Sequence, residues 1–110
     1  MRKNVLIIGG GGVAQVVAHK CAQHNDILGD IVIASRTKSK CDAIIESVRE
    51  KGAMKVEGKL TAYALDAMDT AATAALIRET NSEIVLNVGS AFVNMSVLEA
   101  CIETGAAYLD

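Results

Sequence analysis

Four consecutive glycines, residues 9–12, follow the apolar run VLII without a break and lead straight into VAQVVAHKCAQ. A flexible linker joins elements that are already closed. Here the glycines join a β-branched run to a segment with helical spacing. Set against G-x-G-x-x-G/A, Gly9, Gly11 and Ala14 fall on the defining positions. Each has a physical task. Gly9 permits the tight turn out of a strand. Gly11 keeps a side chain away from an approaching pyrophosphate, and Ala14 lets the helix pack closely on the sheet. The free N–H groups and positive dipole end of that helix then favour phosphate. Gly10 and Gly12 read as permissive extras. A P-loop is excluded, because no Lys-Ser/Thr pair closes the run.

The remaining pattern alternates. Residues 4–8 (NVLII) read as a strand buried on both faces. Val13, Val16, Val17 and Cys21 predict the inward stripe of a helix ending near residues 24–26. Residues 30–34 (DIVIA) read as a second strand. Cys41, Ile44, Ile45 and Val48 mark a second helix, stopped by Gly52. After a polar connection at 53–59, residues 60–65 read as a third strand and 70–79 as an alanine-rich helix, capped by Asp66 or Asp69. Residues 83–88 form a fourth strand. Val97, Leu98, Cys101 and Ile102 mark a fourth helix, starting near Asn94 and stopped by Gly105, and 107–109 open a fifth strand. This alternation predicts an α/β, doubly wound parallel sheet (Rossmann-like), strand order 3-2-1-4-5, with helices on both faces.

The end of the second strand discriminates between dinucleotides. NAD sites carry Asp or Glu there, bonding the ribose 2′-OH. This strand instead ends Ser35-Arg36-Thr37, with Lys38 and Lys40 beside it. A guanidinium forms charge-assisted, often bidentate bonds with phosphate and stacks on adenine, so the expected cofactor is NADP(H). Lys38, and to a lesser degree Lys40, also fit a solvated helix start. Beyond the other strand ends, Asp66 could accept from the adenine amino group or cap the next helix. Asn87-Val88-Gly89-Ser90 could line the ribose and nicotinamide side.

Composition removes several other classes. The chain has 110 residues, 51% hydrophobic and 22% charged, with net charge -2. This suits one folded domain and offers no basic field for nucleic acid. Aromatic residues are 3%, too few for base-stacking platforms. No apolar run approaches the roughly 20 residues of a membrane span, and VLII is too short for a signal-peptide core of about 7–15. A cytoplasmic location is expected. Cys21, Cys41 and Cys101 form no CxxC pair and are expected to be buried thiols; no metal motif or GxSxG elbow is present. His19 and His24 read as surface residues.

Four stretches carry a resemblance: VLIIGGGGVAQVVAHKCAQ, IVIASRTKSKCDAI, ALDAMD and LNVGSAFVNMSVLEACIETGAAYLD. The chain resembles the N-terminal end of the saccharopine dehydrogenase family, in particular its polyamine-forming branch, over essentially its whole length. The glycine motif is generic; SRT and the last stretch are far more specific. The resemblance implies reduction, by NADPH, of the imine formed between aspartate β-semialdehyde and a diamine (1,3-diaminopropane or putrescine), giving carboxynorspermidine or carboxyspermidine. It implies that Gly9, Gly11, Gly12, Val13 and Ala14 hold the cofactor phosphates and Ser35, Arg36 and Thr37 the 2′-phosphate. It further implies that Asp66 and Ala67 border the adenine, and Val88 and Gly89 the nicotinamide ribose. Members of the family are several times longer, so residues 1–110 are expected to be the NAD(P)-binding domain of a longer two-domain enzyme, whose second domain holds the small-molecule substrate. No catalytic residue is identified. Two uncovered sheet edges and a missing partner domain lead to an expectation that the fragment self-associates, and the full-length enzyme is expected to be a homodimer. Two other readings compete: the saccharopine-forming enzyme of lysine metabolism, and a stand-alone nucleotide-sensing regulatory domain.

Overall fold

The structure, a computed structural model, describes residues 3–110. Five parallel strands, β1 (Lys3–Ile8), β2 (Leu28–Ser35), β3 (Leu60–Ala64), β4 (Ile84–Asn87) and β5 (Ala107–Leu109), lie in the order β3-β2-β1-β4-β5. The helices α1 (Gly12–Gln23), α2 (Lys38–Glu50), α3 (Thr70–Thr80) and α4 (Asn94–Thr104) alternate with them, and a short 3-10 turn, Ala91–Val93, precedes α4. The expected topology is the observed one. β2 begins two residues earlier than its apolar run, at Leu28, because Leu28 pairs with Lys3 before a register shift to Val5–Ile31.

Alternation along β1 builds two cores. Val5 and Ile7 face one side, where Ile31, Ile33 and the inner faces of α1 and α2 close over them. Leu6 and Ile8 face the other, against Val32, Ala34, Val85 and the inner faces of α3 and α4. Central strands covered on both sides need apolar residues at every position, which is why NVLII shows no polar alternation.

Two helical stripes differ from expectation. α1 buries Ala14, Ala18, Cys21 and Ala22, while Val13 and Val16 are 63% and 61% exposed. The face that meets the sheet is the small one, because alanine lets the helix axis approach closely behind the glycine turn. Val13 and Val16 are turned outward, while Val17 packs at the edge of the core. α4 likewise buries Val97, Ala100 and Cys101 and leaves Ile102 outside. α2 uses the expected Cys41, Ile44, Ile45 and Val48.

The polar connection after α2 is held by a buried side chain. Asn25 donates to the Val56 carbonyl at 2.8 Å and accepts from the Lys55 and Val56 N–H groups, both at 2.9 Å. Beside it, Lys55 pairs with Asp26 at 3.2 Å and holds that carboxyl below its usual range. All three cysteines are buried, and burial pushes the Cys21 and Cys101 thiols up. Among the described residues, no helix is long and apolar enough to cross a membrane, and no group of His, Cys, Asp or Glu is arranged to hold a metal.

Candidate dinucleotide-binding site

The carboxyl ends of β1, β2, β3 and β4 open into a cleft of about 410 Å³. β1 and β4 are tied at this end by Val88 N–H to the Ile8 carbonyl, 3.0 Å, and β1 and β2 by Gly9 N–H to the Ala34 carbonyl, 2.9 Å. Gly9, Gly10 and Gly11 form its floor, and Ser35, Arg36, Thr37 and Lys40 one wall.

The four glycines do different work. Gly9 has φ +140°, and a Cβ there would stand 3.2 Å from Val88 and Gly89 atoms. It is glycine for the turn and for close contact with the end of β4. At Gly10 a Cβ would stand 3.0 Å from Ser35 Oγ and 3.1 Å from Lys40 Cβ. Gly10 is therefore packed against the end of β2 and the first turn of α2 and is not a dispensable extra. A Cβ at Gly11 or Gly12 would meet nothing within 4 Å. The space over these two residues is open to a ligand. Behind them, α1 starts with no side-chain cap and no acidic residue in its first turn. Its first N–H groups and positive dipole end are left for an anion.

The wall from β2 is similarly prepared. Ser35 Oγ donates to the Thr37 carbonyl at 3.0 Å, accepts from Thr37 N–H at 3.2 Å and receives Cys41 Sγ at 3.3 Å. The hydroxyl is committed to shaping the loop that presents Arg36. Thr37 stands at the start of α2 but its hydroxyl does not cap the helix. Lys38 pairs with Asp42 one turn on, as a solvated helix start does, whereas Lys40 lines the cleft. Arg36 is exposed and lies 3.6 Å from Asp66 Oδ1.

Asp66 accepts from Met68 N–H at 3.0 Å and does not cap α3; Asp69 does, accepting from Ala72 N–H at 3.0 Å. At the end of β4, Asn87 Oδ1 accepts from Gly89 N–H at 3.2 Å, while its amide donates to Asn94 Oδ1 and Tyr108 Oη. This network fixes the turn opposite Gly9. His19 is half-buried and bonds Ser47 between α1 and α2, away from the cleft.

Of the residues anticipated from sequence, Gly9, Gly11, Ser35, Arg36, Thr37, Ala67 and Gly89 line the cleft. Gly12, Val13 and Ala14 contribute the helix start behind it, Ala14 fully buried. Val88 packs on Gly9, and Asp66 stands outside the lining, against Arg36. Sequence reasoning missed the apolar rim of Leu65, Met68, Phe92 and Val93. An exposed Phe92 just past a strand end was the available signal.

An open parallel sheet with a glycine turn, an uncapped helix start and a cationic strand end at one crevice defines a dinucleotide-binding α/β domain. Residues 5–110 match the family described as the saccharopine dehydrogenase NADP binding domain. The chain belongs to that family. Its NADP agrees with the cofactor expected from Arg36.

The carboxynorspermidine synthase of Vibrio alginolyticus is 51% identical over 107 residues, covering 96% of this chain and 26% of that protein. The carboxyaminopropylagmatine dehydrogenase of Synechocystis is 42% identical over 106 residues, covering 96% and 25%. Among solved structures, the apo saccharopine dehydrogenase (L-Glu forming) of Saccharomyces cerevisiae superposes with TM-score 0.74 at 24% identity, over 96% of this chain and 21% of that one. The chain spans about a quarter of the length of the curated relatives it matches.

Proposed function

We propose that this domain holds NADPH for a reductase of polyamine synthesis. In this reading the imine of aspartate β-semialdehyde and a diamine is reduced to a carboxylated polyamine. One observation carries the cofactor half of the proposal. The uncapped start of α1 and the cationic end of β2, with Arg36 and Lys40, face one cleft. The pyrophosphate lies over Gly11 and Gly12 at the first turn of α1, beside Val13 and Ala14. Arg36, Thr37 and Lys40 hold the 2′-phosphate on a loop shaped by Ser35. Ala67 and the Met68 rim border the adenine, and Val88 and Gly89 the nicotinamide ribose. When bound, NADPH supplies the hydride that reduces the imine carbon.

The reaction class is supported by the names of the relatives, a carboxynorspermidine synthase and a carboxyaminopropylagmatine dehydrogenase. Those names differ in the carboxylated amine, which supports assigning the choice of amine to regions outside this domain. Hydride transfer needs the two carbons held about 3–3.5 Å apart in an enclosed site. An open cleft of this shape forms one wall of such a site, so we assign substrate binding and the catalytic acid to a second domain.

Titration with NADPH and NADH tests the cofactor reading. The chain is expected to prefer NADPH, and Arg36→Gln to weaken NADPH binding about tenfold with little effect on NADH, since a charge-assisted bond to phosphate is worth roughly 1.5–3 kcal/mol before screening. Equal loss for both nucleotides would remove Arg36 from the 2′-phosphate.

A further inference from the structure

Arg36 is not idle without nucleotide. Its guanidinium lies 3.6 Å from Asp66 Oδ1, across from the end of β3, and that oxygen also accepts from Met68 N–H at 3.0 Å. The Met68 bond anchors the carboxylate on its own loop, so Arg36 is the partner that moves. Both side chains are largely exposed, 75% and 57%. The pair is therefore weak and exchangeable.

We propose that Asp66 sets the strength of 2′-phosphate binding as a counterweight to Arg36. The inference rests on the reading that Arg36 holds that phosphate. A phosphate bonded to the guanidinium stands near the carboxylate that the same guanidinium touches, inside the screening length of about 8 Å at physiological salt. To take up the guanidinium it must draw Arg36 from Asp66. The carboxylate thus opposes the 2′-phosphate by holding Arg36, and it leaves the phosphates at α1 untouched. Asp66 is then a positioning residue that acts through Arg36. Its neutral isostere binds the phosphorylated nucleotide more tightly. An adenine-binding role alone predicts no such gain, because an amino-group acceptor that is weakened lowers affinity for every adenine nucleotide.

The experiment compares 2′,5′-ADP with 5′-ADP on the unmodified chain, Asp66→Asn, Arg36→Gln and the double variant, by calorimetry at low salt. Asp66→Asn is expected to bind 2′,5′-ADP about two- to fivefold more tightly, the range of an exposed ion pair worth up to about 1 kcal/mol. Binding of 5′-ADP stays unchanged and certifies an intact cleft. The gain should fade at high salt and vanish in the Arg36→Gln background. Unchanged or weaker binding of 2′,5′-ADP by Asp66→Asn overturns the inference. So does a gain that persists without Arg36. If the unmodified chain shows no preference for 2′,5′-ADP, the cofactor reading itself has failed, a result distinct from either of these.

Discussion

At the residue scale, adjacent glycines in one motif answer to different demands. Gly9 is needed by the chain itself, with its positive φ and Val88 and Gly89 at 3.2 Å from any added Cβ. Gly11 faces open space. Gly9→Ala is therefore expected to lose about 1–3 kcal/mol of stability in denaturant titration. Gly11→Ala should fold with near-normal stability yet bind NADPH more weakly in calorimetry, because its methyl group fills the phosphate space. Equal destabilisation by both would contradict this division. The motif was legible in the sequence, but this division of labour was not. A pattern records where glycine stands and not what lies above it. The same holds for Lys38 and Lys40, which read alike until the helix turn sent one to Asp42 and the other to the cleft wall.

At the element scale, α1 shows where periodicity misleads. Valines at 13 and 16 outrank alanines on any hydrophobicity scale, yet Ala14, Ala18 and Ala22 face the sheet, with Val17 at their flank. Close approach of helix to strand, which in the proposed site brings N–H groups to the phosphates, selects for small side chains. Ala18→Leu is expected to overpack this contact and cost about 1–3 kcal/mol. Val16→Gln should change stability by no more than about 0.5 kcal/mol. Chemical denaturation of the two variants distinguishes the observed face from the valine stripe. α2 was read correctly because its inward positions are large, and packing against β2 and β3 has no ligand constraint to satisfy.

For the whole molecule, cofactor binding and chemistry separate. The described residues supply one open cleft, and we expect the 110-residue chain to bind NADPH with no measurable reduction of the imine, followed by loss of NADPH absorbance. Turnover by the chain alone would refute the assignment of catalysis to a second domain. Acid stability has an identifiable contributor away from the cleft. Lys55 lowers the Asp26 carboxyl from 3.8, so this contribution is complete above that value and is lost as pH falls through the lower folded one. Asp26→Asn should accordingly melt slightly lower at neutral pH and show a flatter acid limb below about pH 4, so that the two proteins converge at low pH in thermal melting.

The sequence by itself determined the order of elements, the parallel sheet and the dinucleotide motif. These follow from local periodicity and from glycine and β-branched placement, which act over a few residues. Only the tertiary structure decided which helix faces are inward, that Asn25 pins the 53–59 connection, and that Arg36 meets Asp66 thirty residues away. Such pairings depend on how β2 and β3 align at their carboxyl ends. That alignment is set by strand register across the sheet, and no short-range pattern encodes it.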